Sequence, residues 1–338
     1  MNSDQIITAH DNSVKLRLWP IAVFIVLITV AVWSLFDLRT LRDWYILAVY
    51  KPPAEIVDIA KTDTMTSYAR QLFYVNRPQI SSKQLFAQNC PNGTEQSYVV
   101  GCYHAGDNGI YLLNVTDPRL NGIVEVTGAY EMLHAGYARL TNQQRNLIDQ
   151  RMWTYYQSHD LGTEIKQQMA AYAKTEPGEQ YDELYSVLAT EVSDLPINLE
   201  NQYRIYFTDR RQVVDMYNGY EAAFTERQAE IKADDNQLTT LKKQIQTEEG
   251  EISTLLANIQ SDQNVLTSDK AQGRIADYNA EVVNYNDIVN SYDSLIVQIK
   301  SVISSYNGLV NSRNKLALEE QQLIQDINAN PGQTINKK

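Results

Sequence analysis

The last third of the chain carries two seven-residue registers, and they constrain the fold more than any other stretch. Stepping by seven from Phe224 gives Ile231, Leu238, Ile245, Ile252, Ile259 and Leu266, all apolar. Three residues further on in each heptad, Leu241 and Leu255 are apolar, whereas Arg227, Asp234, Glu248 and Asp262 are not. A second series runs through Ile275, Val282, Val289, Ile296, Ile303, Val310, Ala317 and Ile324. Its companion positions are Tyr278, Tyr285, Tyr292, Ile299 and Tyr306, then Arg313 and Glu320. A strict repeat of seven keeps one stripe of a helix facing a partner along its whole length. Two registers broken near Thr267 to Gly273 predict two helices joined by a turn, each roughly 70–80 Å long at 1.5 Å per residue. Within one chain, an antiparallel coiled-coil hairpin over residues 221–328 satisfies both stripes. A parallel homo-oligomer is the alternative, and heptads alone do not separate the two. The tyrosine row favours close contact, because a phenol packs its ring and keeps its hydroxyl at the rim.

A length of 338 residues leaves room for a further domain ahead of this hairpin. The 41 acidic residues outnumber the 29 basic ones, for a net charge of −12. That balance excludes a duplex nucleic-acid binder, which needs a clustered basic footprint. Leu18 to Phe36 contains no charge over 19 residues and is bounded by Arg17 and Asp37. At 1.5 Å per residue it covers roughly 28 Å, near the thickness of a bilayer's hydrocarbon. Trp19 and Trp33 stand near its ends, as interfacial rings do. The stretch is too long for the apolar core of a cleavable signal, and no small-x-small site follows. A single-pass transmembrane anchor over 18–36 is therefore expected, after a disordered tail at 1–17. The basic residues flank it evenly, so charge does not set its orientation. The two cysteines, Cys90 and Cys102, lie twelve apart around a loop. In an oxidising compartment they form a disulfide contributing up to about 3 kcal/mol, which places the bulk of the chain outside the cytoplasm.

Between anchor and hairpin, residues 51–215 read as one α+β domain. Pro52-Pro53 opens it, and Ala54 to Ala60 and Thr64 to Phe73 have helical patterns. From Ser97 to Val115 the period changes: SYVVGCY and IYLLNV are strand-like, and HAGDNG between them is turn chemistry, predicting a β-hairpin. Helices follow over Glu125 to Leu140, Thr141 to Ser158, Leu161 to Lys174, Tyr181 to Val192 and Asn198 to Phe207. The last residues, 329–338, form a polar tail expected to be disordered.

Candidate chemistry centres on Tyr130, Glu131, Met132, Leu133 and His134 in EVTGAYEMLHAGYARL. On a helix, positions i and i+4 share a face, which is why zinc peptidases place two histidines four apart with a glutamate after the first. Here Glu131 and His134 hold the general-base and second-ligand positions, and Tyr130 stands where the first histidine belongs. The segments GCYHAGDNGIYLLNVTDPRL, VTGAYEMLHAGYARL and LATEVSDLPINLENQYRIYFTDRRQVV together resemble gluzincin-like zinc metallopeptidases, in particular membrane-anchored bacterial ones with a C-terminal coiled coil. The resemblance covers roughly residues 85–220. It implies a zincin-like fold, Glu131 as the catalytic base, and His134 and Glu191 as zinc ligands. Glu191 falls 57 residues after His134. Tyr130 is the departure: a neutral phenol is a poor zinc ligand at pH 7, so zinc is expected to be weakly bound or absent.

Three functions compete on this reading. One is a membrane-tethered pseudo-peptidase that binds a peptide or envelope protein partner without cutting it. A second is an active zinc endopeptidase in which His104, His159 or a tyrosinate completes the site. The third is a structural envelope protein whose coiled coil does the work.

Overall fold

A computed structural model of the chain describes residues 19–35, 38–91, 100–106, 109–175 and 177–329. The expected tail at 1–17, most of the one at 329–338 and the first part of the expected strand at Ser97 lie outside them.

The N-terminal unit, residues 1–51, contributes α1 (Trp19–Leu35) and α2 (Leu38–Val49). The apolar run is helical, but α1 is 17 residues long. That is roughly 26 Å at 1.5 Å per residue, short of the roughly 30 Å of a hydrocarbon core. Among the described residues, no helix is long and apolar enough to cross a membrane. The expected transmembrane anchor and single-pass placement are corrected on this ground. Helix α2 carries Arg39, Arg42 and Asp43 and is amphipathic, unlike the apolar run of α1.

The second unit spans residues 52–338. The α+β class is corrected too, because 79% of the described chain is helical and the sheet has three short strands. A head is built from α3 (Ala54–Thr62), α4 (Ser67–Val75), α5 (Lys83–Asn89), α6 (Ile123–Tyr137), α7 (Asn142–Ser158), α8 (Gly162–Thr175), α9 (Gln180–Thr190) and α10 (Ile197–Tyr203). The expected hairpin is present as β2 (Gly101–His104) and β3 (Gly109–Leu113), with Cys102 opposite Tyr111. A strand the sequence pattern did not reveal, β1 (Gln79–Ser81), pairs parallel to β3 and makes it the central strand. Three residues leave no room for a period-two pattern to register.

Helix α6 is the centre of the head. Eleven of its fifteen residues are buried, as expected for a helix apolar all round. The sheet and α3 approach it closely through two glycines. A Cβ on Gly101 of β2 would stand 2.3 Å from Thr127 Cγ2 and 2.6 Å from Glu131 Oε1, and one on Gly128 would meet Ile59 at 2.9 Å. Helix α9 packs on another side, with eight buried residues from Glu183 to Thr190. Thr141 caps α7 through a reciprocal capping box with Gln144. Tyrosines fill the base of the core: Tyr185, Tyr203 and Tyr206 are each no more than 1% exposed. The Tyr203 hydroxyl donates to the Tyr185 carbonyl at 2.9 Å, and Gln202 Nε2 donates to the Tyr185 hydroxyl at 2.9 Å. Buried phenols thus keep partners, as burial requires.

The long hairpin is intramolecular and antiparallel. Its first arm, α11 (Arg210–Ala271), starts inside the head, where Val213 and Val214 are fully buried, and continues without a break. Arg210 fixes that start. Its guanidinium donates to the carbonyls of Ala189 (3.1 Å) in the last turn of α9 and of Val192 (2.6 Å) and Ser193 (3.0 Å) beyond it, and pairs with Glu200 at 2.5 Å. The second arm, α12 (Ile275–Ile327), turns back at Gly273, which has φ +71°. Cross-arm hydrogen bonds from Gln263 to Tyr285, Gln298 to Glu248, Arg313 to Asp235 and Gln228 to Glu320 fix the register.

On α11 the buried stripe follows the heptad read from Phe224, and the polar positions Arg227, Asp234, Glu248 and Asp262 lie in the seam rather than outside it. Three of the four meet partners on α12: Arg227 with Glu319, Glu248 with Gln298, Asp262 with Asn284. On α12 the seam is wider than the expected one. The expected row Tyr278, Tyr285, Tyr292, Ile299 and Tyr306 is its centre, and of the expected row from Ile275 all but Ile275 and Ile303 flank it half-buried, while Ile288, Leu295, Val302, Leu309, Leu316 and Leu323 flank it on the other side. The end of α12 returns to the head. Leu323 and Ile327 pack with Leu120, Ile123 and Phe224, and Ala329, assigned to the tail by sequence, is buried against Phe86, Cys90 and Leu113. Lys83 Nζ donates to the Gln325 carbonyl at 2.5 Å, placing a cation at the negative end of α12.

Candidate functional site

Tyr130 and His134 project from one face of α6 toward α9, as residues four apart on a helix must. Their rings meet edge to face with centroids 5.0 Å apart. Two residues in the first turn of α9 receive them. His134 Nδ1 is 2.9 Å from Asp182 Oδ1, and His134 Nε2 is 3.6 Å from Glu183 Oε2. The Tyr130 hydroxyl donates to Glu183 Oε1, to which Gln168 Nε2 of α8 also donates at 2.9 Å. Glu183 is 3% exposed, and a carboxylate so deep in the fold requires such donors. Ser186 of α9 closes the contact by donating to the Tyr130 carbonyl at 3.3 Å.

The charge of His134 follows from this surrounding. Burial is the largest single influence and opposes protonation. Asp182 by charge and hydrogen bond, then Glu131 and Glu183 by charge, together outweigh it and push His134 up to about 10. The imidazole is therefore a cation at neutral pH, in the last turn of α6 where the helix dipole favours one.

Of the residues singled out from the sequence, the structure brings Tyr130 and His134 together and sets the Glu131 charge near His134. Glu131 is 6% exposed and lies under the backbone of β2 at Gly101. Glu191 follows the end of α9, eight residues from Glu183, and faces α11. Burial chiefly, and then the Glu183 charge, push it up to about 8, while a hydrogen bond from Tyr217 acts the other way. His104 and His159 serve local ends: His104 Nε2 donates to the Asn89 carbonyl at 2.8 Å, and His159 stacks on Tyr155 with ring centroids 4.1 Å apart. Cys90 and Cys102 form the expected disulfide, with Cα atoms 6.1 Å apart, consistent with an oxidising, extracytoplasmic setting.

These donors do not fit a catalytic zinc. Such a site needs three protein ligands converging on one point with neutral imidazoles. Here there is one imidazole, engaged with carboxylates through both nitrogens, and a phenol committed to Glu183. Among the described residues, the group of three His, Cys, Asp or Glu ligand atoms that lies within a metal's reach is Cys90, Cys102 and His104, and its two cysteines are bonded to each other. Two surface pockets, one around Asn121, Gln212 and Met216 and one around Tyr68, Arg139 and Tyr206, are not lined by Tyr130, Glu131, His134 or Glu183.

Asp182 and Glu183 are the site residues that sequence reasoning missed. The signal was present: Glu183 is a carboxylate at the start of the apolar run LYSVLA, at a helical position that must be buried. No family's sequence profile, no curated protein and no solved structure matches the chain.

Proposed function

We propose that this protein is a non-catalytic, extracytoplasmic binding protein, a degenerate relative of gluzincin-like peptidases that engages a peptide or envelope protein partner. The carrying observation is the Tyr130–Glu183–His134–Asp182 network. It spends the hydroxyl, the imidazole and two carboxylates on one another, where a peptidase holds a metal and a water. A protonated His134 supplies the positive charge that the carboxylates need in a buried place. In this reading the long hairpin is the working part, and the head is the base from which it is displayed.

The test is metal content and peptidase activity of the purified chain, alongside Tyr130→His. The wild type is expected to carry no stoichiometric zinc and to leave unstructured peptides intact, while Tyr130→His, facing His134 and Glu183, gains zinc. Stoichiometric zinc in the wild type that disappears in His134→Ala overturns the reading.

A further inference from the structure

We propose that Cys90, Cys102 and His104 form a metal site that takes the place of the disulfide under reducing conditions, binding zinc through two thiolates and an imidazole. The ligand atoms of the three residues already lie within 4.8 Å of one another. Cys102 Sγ and His104 Nε2 are 3.4 Å apart. A tetrahedral zinc, with Zn–S of about 2.3 Å and Zn–N of about 2.0–2.1 Å, sets its sulfur and nitrogen ligands roughly 3.5 Å apart. This pair is therefore spaced for a shared cation before one arrives.

The backbone explains the spacing. Cys102 and His104 are two apart on β2, so both side chains leave the same face of the strand. The strand is held by its register with β3, Cys102 opposite Tyr111 and His104 opposite Gly109. The Tyr111 ring lies edge-on to the imidazole at 5.7 Å. Cys90 is brought up from the other side as the residue that ends α5. Two donors on one strand and a third at a helix terminus give a chelate whose closure needs movement mainly of the Cys90 and Cys102 side chains.

The chemistry balances with a dithiol as reductant. Its two thiols transfer two electrons and two protons to the protein disulfide, becoming a disulfide themselves and leaving Cys90 and Cys102 as thiols. Zinc then displaces one proton from each thiol into solvent. His104 must turn its Nε2 lone pair to the metal and carry its proton on Nδ1, which withdraws the Nε2–H from the Asn89 carbonyl. The fourth position falls to water, since Cys102 and His104 are only partly buried. The bound cation ties α5 to β2 as the disulfide does. Cys90 packs with Phe86, Leu113 and Ala329, so the site sits beneath the returning end of the hairpin and holds it in either state.

The test uses the full chain, reduced with a phosphine under argon to two free thiols, then titrated with zinc against a chromogenic chelator and with cobalt by absorbance. One equivalent of zinc is expected in the reduced protein only, with a thiolate-to-cobalt charge-transfer band. His104→Ala is expected to weaken binding at least tenfold. The double variant Cys90→Ser, Cys102→Ser, checked for native helicity, is expected to bind none. Equal zinc uptake by oxidised and reduced protein, a His104→Ala variant as tight as wild type, or a disulfide that stays closed in the native chain would each overturn the proposal.

Discussion

Replacing His134 by glutamine removes the cation that Asp182, Glu183 and Glu131 face, and the structure fixes both the size and the pH range of the effect. His134 titrates near 6.5 when unfolded and about 10 in the fold. Between those values the native state holds a proton that the unfolded chain has released. The stabilisation is therefore whole below about pH 6.5 and is lost as pH rises through 10. A shift of that size corresponds to roughly 3–5 kcal/mol once the partial exposure of Asp182 is allowed for. Glu191, raised to about 8 from 4.5, also favours its protonated form in the fold, so it too removes stability as pH rises, between about 4.5 and 8. That contribution is common to both proteins and cancels in their difference. Urea unfolding followed by circular dichroism from pH 6 to 10.5 is the assay. At pH 7 His134→Gln is expected to be roughly 3–5 kcal/mol less stable than wild type, with the gap closing toward pH 10.5. The imidazole Cε1 proton of the wild type should titrate with a midpoint near 10. A midpoint near 6.5, or a stability gap that does not change with pH, refutes the reasoning.

Three further outcomes follow from contacts already described. Arg210→Met leaves Glu200 and the carbonyls at and beyond the end of α9 without their donor, and is expected to cost about 3–5 kcal/mol in chemical denaturation. Gly101→Ala drives a methyl into Thr127 and Glu131 and should destabilise by about 1–3 kcal/mol, visible as a lower melting temperature with the disulfide intact. Ile327→Ala opens a void between the end of α12 and the head. A loss of about 2–4 kcal/mol is expected, with hydrogen exchange accelerating at both feet of the hairpin and not at its tip.

How much of this was legible in the sequence depended on whether a single element or a pair of elements decided the outcome. The seam of α11 was readable because only one stripe of that helix is apolar. On α12 two adjacent stripes are apolar, the row from Ile275 and the row through Ile288 and Leu295. Both flank the tyrosine row in the seam, so a strict seven-residue reading found one flank and left out the other. Helix α6 and the pairing of Tyr130 with His134 came from spacing within one helix. Glu183 did not, because its role exists only where α9 crosses α6, and a downstream motif drew the reading to Glu191, two turns further on. The apolar run at residues 18–36 had the composition of a membrane span, but no described helix, the 17-residue α1 included, is long and apolar enough to cross one.

The hairpin meets the head twice, through Val213 and Val214 where α11 leaves and through Leu323, Ile327 and Ala329 where α12 returns. A coiled coil hung from a chain terminus has one attachment and can swivel about it. An arm with two feet is braced like a trestle: a sideways load on the tip places one foot in tension and the other in compression, and twisting must shear both. This roughly 80–90 Å arm is therefore a lever of fixed bearing, and a push at its tip is delivered into α6 and β3.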